Sequence, residues 1–349
     1  MKSRATSLII LLFIVLQYLN CISRDTDKIN FDFKSKIDSL IITDSIRPFN
    51  GQILIAKSDS IICSKTYGYS NFVNKTKLTK DHQFVIGSLS KQITAVLVLQ
   101  AVERGFIKLN DPIKIYLPYL PMNWADEVTV HQLLNHTHGI SDLAKALDYK
   151  PGTDFAYSNL GYELLGKILE SVSHKSYIEL CTELFKKYGM KNSSAPGTNY
   201  NFNLTQAWSR DSLGIIWEEK NTFQGSNLPA AYILSTAEDL LLWNNLLHNG
   251  ILLTDESYEL MIKPGAIQNH ALFGKVGYGF ALRINNSENI LEIGHTGYVP
   301  GYLSMNFYYP DSKINIIVLE NLDWKDENIK KTFYFELKIR ELLKRSNLL

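Results

Sequence analysis

The stretch Phe84-Val85-Ile86-Gly87-Ser88-Leu89-Ser90-Lys91, with the run Gln92 to Gly105 behind it, decides how this chain of 349 residues folds. From Leu89 to Val102 the residues are mostly Ile, Val, Leu and Ala on every side, the pattern of a helix buried in a core rather than lying on a surface. Gly105 supplies its stop signal. Ser88 then stands where the helix begins, where free backbone N–H groups and the positive end of the dipole favour an anionic oxygen. Lys91, three residues on, faces the same side. A hydroxyl at a helix N-terminus with an amine one turn away is a candidate activated nucleophile. An N-cap serine beside a solvated lysine reads the same way, and Ser-x-x-Lys recurs by chance in chains of this size, so the surrounding sequence has to decide.

Outward from that stretch the pattern changes in kind. Before it, Gly51 to Ala56 and Ile61 to Tyr69, separated by Lys57-Ser58-Asp59-Ser60, predict a β-hairpin. Two strands are not stable alone. Partners are predicted at the far end: Tyr278 to Ile284, Ile290 to Ile293, Tyr302 to Tyr309 and Ile314 to Leu319, with turns at Asn285-Asn286-Ser287 and Pro310-Asp311-Ser312. An amphipathic helix is expected over Asn30 to Asp44 and a last one over about Asp326 to Leu343. Between the ends, Val130 to Leu134, Asn159 to Ser171, Tyr177 to Tyr188 and Ala237 to Leu247 carry helical spacing. The expected fold is α+β: an antiparallel β-sheet flanked by terminal helices, with a mainly helical domain inserted. Residues 22–85 and 270–349 would form the sheet domain, and 86–269 the helical domain that carries the nucleophile helix.

Composition is that of an ordinary globular protein, and a net charge of +1 gives no reason to expect nucleic acid as a partner. Lys2 and Arg4 ahead of the apolar run Leu8 to Leu16 read as an export signal over residues 1–21, the run being too short to span a bilayer. Cys21 leaves two options open, a lipid-modified lipoprotein cysteine or ordinary cleavage or anchoring, since Tyr18-Leu19-Asn20 lacks the small residues expected before such a cysteine. The expected location is therefore periplasmic or membrane-anchored, with a possible tether through the N-terminus or Cys21. Cys63 and Cys181 are far apart and make no disulfide framework or zinc spacing. His131, His136 and His138 lack an acid or cysteine at ligand spacing, so neither metal nor other cofactor is expected.

Two further segments bring chemistry. After Lys150-Pro151-Gly152 comes Phe155-Ala156-Tyr157-Ser158-Asn159, a polar tripeptide on a turn before a helix. Near the end, Glu292-Ile293-Gly294-His295-Thr296-Gly297-Tyr298 is a strand whose glycines allow close approach of another backbone or a substrate. Ser88-x-x-Lys91, Tyr157-x-Asn159 and His295-Thr296-Gly297, in that order, resemble the three motifs of serine β-lactamases and penicillin-binding proteins, specifically the class C and D,D-peptidase-like branch. Gly68-Tyr69-Ser70-Asn71, Leu133-Leu134-Asn135-His136-Thr137-His138-Gly139-Ile140 and Gly294 to Gly301 extend the resemblance over about Asn50 to Leu319. Decoys show that order and setting carry it: Tyr69-Ser70-Asn71 repeats Tyr157-Ser158-Asn159, and His248-Asn249-Gly250 fits the third pattern yet reads as a helix C-cap.

The resemblance implies acyl transfer through a covalent serine ester. Ser88 would attack a carbonyl with Lys91 and Tyr157 sharing the proton, and the backbone N–H groups of Ser88 and Tyr298 would hold the oxyanion. Asn159 would bind the substrate's amide, while His295, Thr296, Gly297 and Tyr298 would align the acyl chain by β-type pairing. Tyr298, Tyr302, Trp208 and Trp217 are candidates to line a cleft. His295 stands where β-lactamases usually carry a Lys, and a largely neutral His there puts efficient β-lactam hydrolysis in doubt. D-amino-acid peptides of the cell wall, or related amides and esters, are the expected substrates. A β-lactamase and a non-hydrolytic penicillin-recognising or cell-wall-binding protein are the alternatives; no obligate protein partner is expected.

Overall fold

The computed structural model describes residues 32–42, 47–197, 203–220 and 225–349. Strands β1 (Gly51–Lys57), β2 (Ser60–Tyr67), β3 (Ala266–His270), β4 (Gly274–Tyr278), β5 (Arg283–Ser287), β6 (Ile290–Val299), β7 (Tyr302–Tyr309) and β8 (Ile314–Glu320) form one sheet. Their spatial order is β2-β1-β8-β7-β6-β5-β4-β3, antiparallel throughout. The first and last thirds of the chain therefore meet at the β1–β8 seam, where Gly51 faces Glu320 and Lys57 faces Ile314.

Alternation along the central strands assigns the two faces. Ile53, Ile55, Ile316 and Val318 point to one side, into a cluster with Phe33, Ile37 and Ile41 of helix α1 (32–42) and Phe335, Ile339 and Leu343 near the C-terminus. Leu54, Ala56, Ile317 and Leu319 point to the other, into the core of the helical part. Both faces are covered, which is why β1 and β8 read as continuous apolar runs. The helical part contains α2 (Ser90–Glu103), α3 (Val130–Leu134), α4 (Asn159–Ser173), α5 (Tyr177–Tyr188) and α6 (Ala237–His248). α2 is buried on nearly every side, as its composition predicted, and Gly105 follows it with φ +76°.

Several expectations are corrected. Tyr278 to Ile284 is two strand ends around a turn, with Ala281 at φ +59° and the Gly279 N–H donating to Leu282 C=O at 2.9 Å. An apolar run with no alternation hid that turn. Asn285 to Ser287 belongs to β5, and the turn falls on Glu288 and Asn289, both at φ +58°. The last helix is broken at Phe333, leaving Ile329–Thr332 and α7 (Tyr334–Lys344). The sheet also reaches back to Ala266, ahead of the division expected at residue 270. Trp208–Arg210, within the mainly helical part, pairs with Ile216–Glu218 on one side and with Leu322–Trp324 on the other as a separate three-stranded sheet. The expected export signal and Cys21 lie outside the described residues. Among the described residues no helix is long and apolar enough to cross a membrane.

Candidate active site

Ser88 lies in a short 3-10 turn, Gly87–Leu89, that runs directly into α2. One turn on, the side chain of Lys91 is fully buried. Its Nζ lies 3.2 Å from Ser88 Oγ, 2.7 Å from Asn159 Oδ1 and 2.8 Å from the Ala230 carbonyl. The last two are acceptors only. The amine donates to both of these, and its third position faces the Ser88 hydroxyl oxygen. Desolvation lowers the pKa of Lys91, and the charge and hydrogen bonding of the Tyr157 phenol act against it. Burial thus pulls Lys91 toward the neutral amine that could take the Ser88 proton, while the surrounding acceptors and the Tyr157 phenol pull it toward the ammonium.

Tyr157 lies on the turn that leads into α4, and Asn159 is the first residue of that helix. The Lys91 amine stands 4.9 Å from the centroid of the Tyr157 ring. One face of that ring meets His136 at 4.4 Å between centroids, and His295 stacks at 5.9 Å with an interplanar angle of 28°. Ser88, Lys91, Tyr157 and Asn159, from two separate helices, are therefore brought together.

Strand β6 closes the site from the sheet side. A Cβ at Gly87, whose φ is +53°, would lie 2.6 Å from the Tyr298 backbone nitrogen, and a Cβ at Gly297 would lie 2.3 Å from the Ile86 carbonyl oxygen. Backbone touches backbone here, so only glycine fits at either position. The contact brings the Tyr298 amide close to Gly87 and the Ser88 amide close to Gly297 at the head of α2, an approach that the expected oxyanion pair would need.

Between these walls is a cleft of about 290 Å³ lined on its polar side by Ser88, Tyr157, Asn159, Arg283, Thr296 and Tyr298. Its apolar side comes from Leu272 in the β3–β4 turn and from Ile329 and Phe333 near the C-terminus. Gly297 also lines it, but His295 does not. The His295 ring is fully buried, with Nδ1 2.6 Å from the Thr296 carbonyl and Nε2 3.1 Å from the Tyr278 hydroxyl. Burial and the neighbouring Arg283 and Lys91 push its pKa well below the ordinary histidine value. The side chain at 295 is thus behind the cleft, a correction to its expected place on the substrate. Trp208 and Tyr302 are likewise buried in packing, Tyr302 donating to the Thr205 carbonyl, and neither they nor Trp217 line the cleft.

The residue that sequence reading missed is Arg283, at the start of β5. Its guanidinium is buried, with Nε 3.0 Å from Gln268 Oε1 and Nη1 3.2 Å from Thr296 Oγ1. Among the described residues no carboxylate pairs with it, and desolvation lowers its pKa. A buried cation held only by neutral acceptors, at the wall of a cleft, presents an anion site. The available signal was a lone charge inside the apolar run Phe280-Ala281-Leu282-Arg283-Ile284. His136 and His138, by contrast, accept backbone N–H bonds from Ser158 and Ile140. Among the described residues no group of three or more His, Cys, Asp or Glu could hold a metal ion.

A nucleophile head-on to a buried amine, beneath a glycine-flanked strand of an α+β fold, defines the scaffold of the β-lactamase and transpeptidase-like serine hydrolases. Residues 45–338 match the model of the Beta-lactamase family, and the chain belongs to that family. The protein flp of Staphylococcus aureus (strain MW2) is 26% identical over 329 residues, covering 84% of this chain and 64% of flp. The chain therefore spans just under two thirds of that relative's length. Among solved structures, the octameric penicillin-binding protein homologue from Pyrococcus abyssi superposes with a TM-score of 0.77 at 26% identity, over 90% of this chain and 78% of that one. The D-amino acid amidase from Ochrobactrum anthropi SV3 also superposes with a TM-score of 0.77, at 22% identity over 90% and 99% of the two chains, a likeness of fold.

Proposed function

We propose that this protein is an exported serine hydrolase that cleaves D-amino-acid peptides ending in a free carboxylate, such as those of the cell wall, through an acyl-enzyme. The observation that carries the reading is Arg283, an unpaired buried cation across the cleft from Ser88. It supplies the positive charge that the neutral His295 does not. Ser88 Oγ bonds to the scissile carbonyl carbon as its proton passes to the Lys91–Tyr157 pair, and the Ser88 and Tyr298 amides hold the resulting oxyanion. The C–N bond then breaks, the departing amine takes that proton, and water hydrolyses the serine ester. Support for the substrate class comes from the penicillin-binding and D-amino-acid names of the similar proteins. Support for export comes from Lys2, Arg4 and the run Leu8 to Leu16.

The test compares a peptide ending in D-Ala-D-Ala with its C-terminal amide. The free acid should be the better substrate, and Arg283→Gln should raise its KM by about 10-fold to 100-fold, the worth of one charged hydrogen bond, while leaving the amide little changed. Equal turnover of acid and amide by the native enzyme, or nitrocefin as the only substrate turned over, would remove the carboxypeptidase reading.

A further inference from the structure

Behind Tyr157 lies a set of buried hydrogen bonds that the mechanism above does not use. The Ser158 amide donates to His136 Nδ1 at 3.3 Å, His136 Nε2 is 3.2 Å from the Tyr278 hydroxyl, that hydroxyl is 3.1 Å from His295 Nε2, and His295 Nδ1 is 2.6 Å from the Thr296 carbonyl. Both ends of this chain have one polarity only. An amide N–H can only donate, so His136 Nδ1 accepts and its proton sits on Nε2; a carbonyl can only accept, so His295 carries its proton on Nδ1 and offers a bare Nε2. Tyr278 is left one arrangement that satisfies both neighbours: it accepts from His136 and donates to His295.

We propose that Tyr278 is a positioning residue, whose hydroxyl ties His136 and His295 into this one-way chain and so holds two neutral rings of fixed tautomer against Tyr157. The inference rests on the reading of Ser88, Lys91 and Tyr157 as the catalytic set. The Tyr157 ring touches all three members, with His136 at 4.4 Å, His295 at 5.9 Å and Tyr278 at 6.2 Å between centroids. The chain also starts on the amide of Ser158, next to Tyr157, and ends on the carbonyl of Thr296, which lines the cleft. His136 itself sits at φ +60°, in the left-handed region.

Neutrality has an electrostatic reason. His295 is acted on by Arg283, Lys91 and, farther out, His270; His136 is acted on by Lys91, His138 and Arg283. None of these is an anion. The other titratable neighbours include the phenols of Tyr157, Tyr162, Tyr278 and Tyr149, the last donating to the His136 carbonyl at 3.3 Å. A proton added to either imidazole would break the chain's direction and place a further cation beside Lys91, where it would compete for the phenol's electron pair.

Histidine side-chain 15N spectra of the native protein at pH 7 read the tautomers without reference to activity. The expected pattern is a proton on Nε2 of His136 and on Nδ1 of His295; the opposite tautomer or an imidazolium at either position overturns the proposal. Tyr278→Phe keeps the ring and removes the hydroxyl. It should lower the maximal rate at which a fluorophosphonate labels Ser88 by about tenfold, the cost of a small misplacement of a proton-transferring group, with little change in probe affinity. The acid limb of that rate should also move to higher pH, because His295 Nε2 is then free to take a proton. Labelling at the native rate with the native pH profile counts against the proposal. If the variant fails to fold, or if the native protein is not labelled at all and the catalytic reading falls, the tautomers of the native protein decide alone.

Discussion

At Lys91 the cost of burial and the supply of acceptors act against each other. Moving an ammonium out of water costs several kcal/mol in a real protein, whereas Asn159 Oδ1, Ala230 C=O and Ser88 Oγ can take all three N–H bonds of the charged form. Burial lowers the pKa of Lys91, and Ser88 stands within hydrogen-bond reach to give its proton to the neutral amine. Ser88→Ala should leave the thermal unfolding curve close to native and abolish covalent labelling by a fluorophosphonate or penicillin probe. Mass spectrometry of the intact protein checks this, and label retained on the variant would place the nucleophile elsewhere. The pairing of Ser88 with Lys91 was legible in the sequence because it needs only one helical turn. Arg283 was not, since a single charge in an apolar run says nothing about whether an acid waits across the fold to neutralise it.

Among the elements, the contact between the 3-10 turn at Gly87–Leu89 and strand β6 carries the oxyanion geometry. Gly297→Ala would drive a methyl group to 2.3 Å from the Ile86 carbonyl oxygen and from Ser304 Oγ. The expected cost is about 1–3 kcal/mol of stability through overpacking. Acylation should fall further than stability explains, because relief of the clash moves the Tyr298 amide away from Ser88. Urea unfolding and probe-labelling rates on the same variant check both; native labelling kinetics would show that this contact does not set the site. Helix α2 was visible as a run apolar on every side, helices α4, α5 and α6 as periodic apolar spacing, and the β1–β2 hairpin as two apolar runs about a polar turn. Strands β3 and β4 were not, since Ala266–His270 at the sheet edge and Gly274–Tyr278 beside it are short, partly exposed segments with little apolar signal.

For the whole molecule, the clamp between the terminal helices and the sheet is a buried group of one cation and two acids. Arg47 Nη2 is 2.5 Å from Glu320 Oε1 and 3.7 Å from Glu336 Oε2, and all three side chains are buried. One guanidinium neutralises one carboxylate. Desolvation and the adjacent Glu320 hold the pKa of Glu336 well above the ordinary glutamate value. A raised acid means that the native state keeps a proton which the unfolded chain releases above about pH 4.5, so stability falls as pH rises from there toward the native value. Glu336→Gln supplies the neutral form permanently. Its stabilisation over the native protein should therefore be larger at pH 8 than at pH 5, by about 2 °C in Tm for each kcal/mol. A Tm difference that does not depend on pH would mean that Glu336 is ionised in the fold.

What the amino-acid sequence determined by itself is what short range encodes: the main helices and the central strands, the hydroxyl and amine of Ser88 and Lys91 on one turn, and the order of three motifs that marks the family. Which side of β6 each residue faces was decided only by the tertiary structure. Strand pairing with β5 and β7 turned His295 inward to Tyr278 and brought Arg283 and Thr296 to the cleft. That choice depends on desolvation and on partners supplied from 13 to 142 residues away along the chain, and these exist only once the sheet has closed.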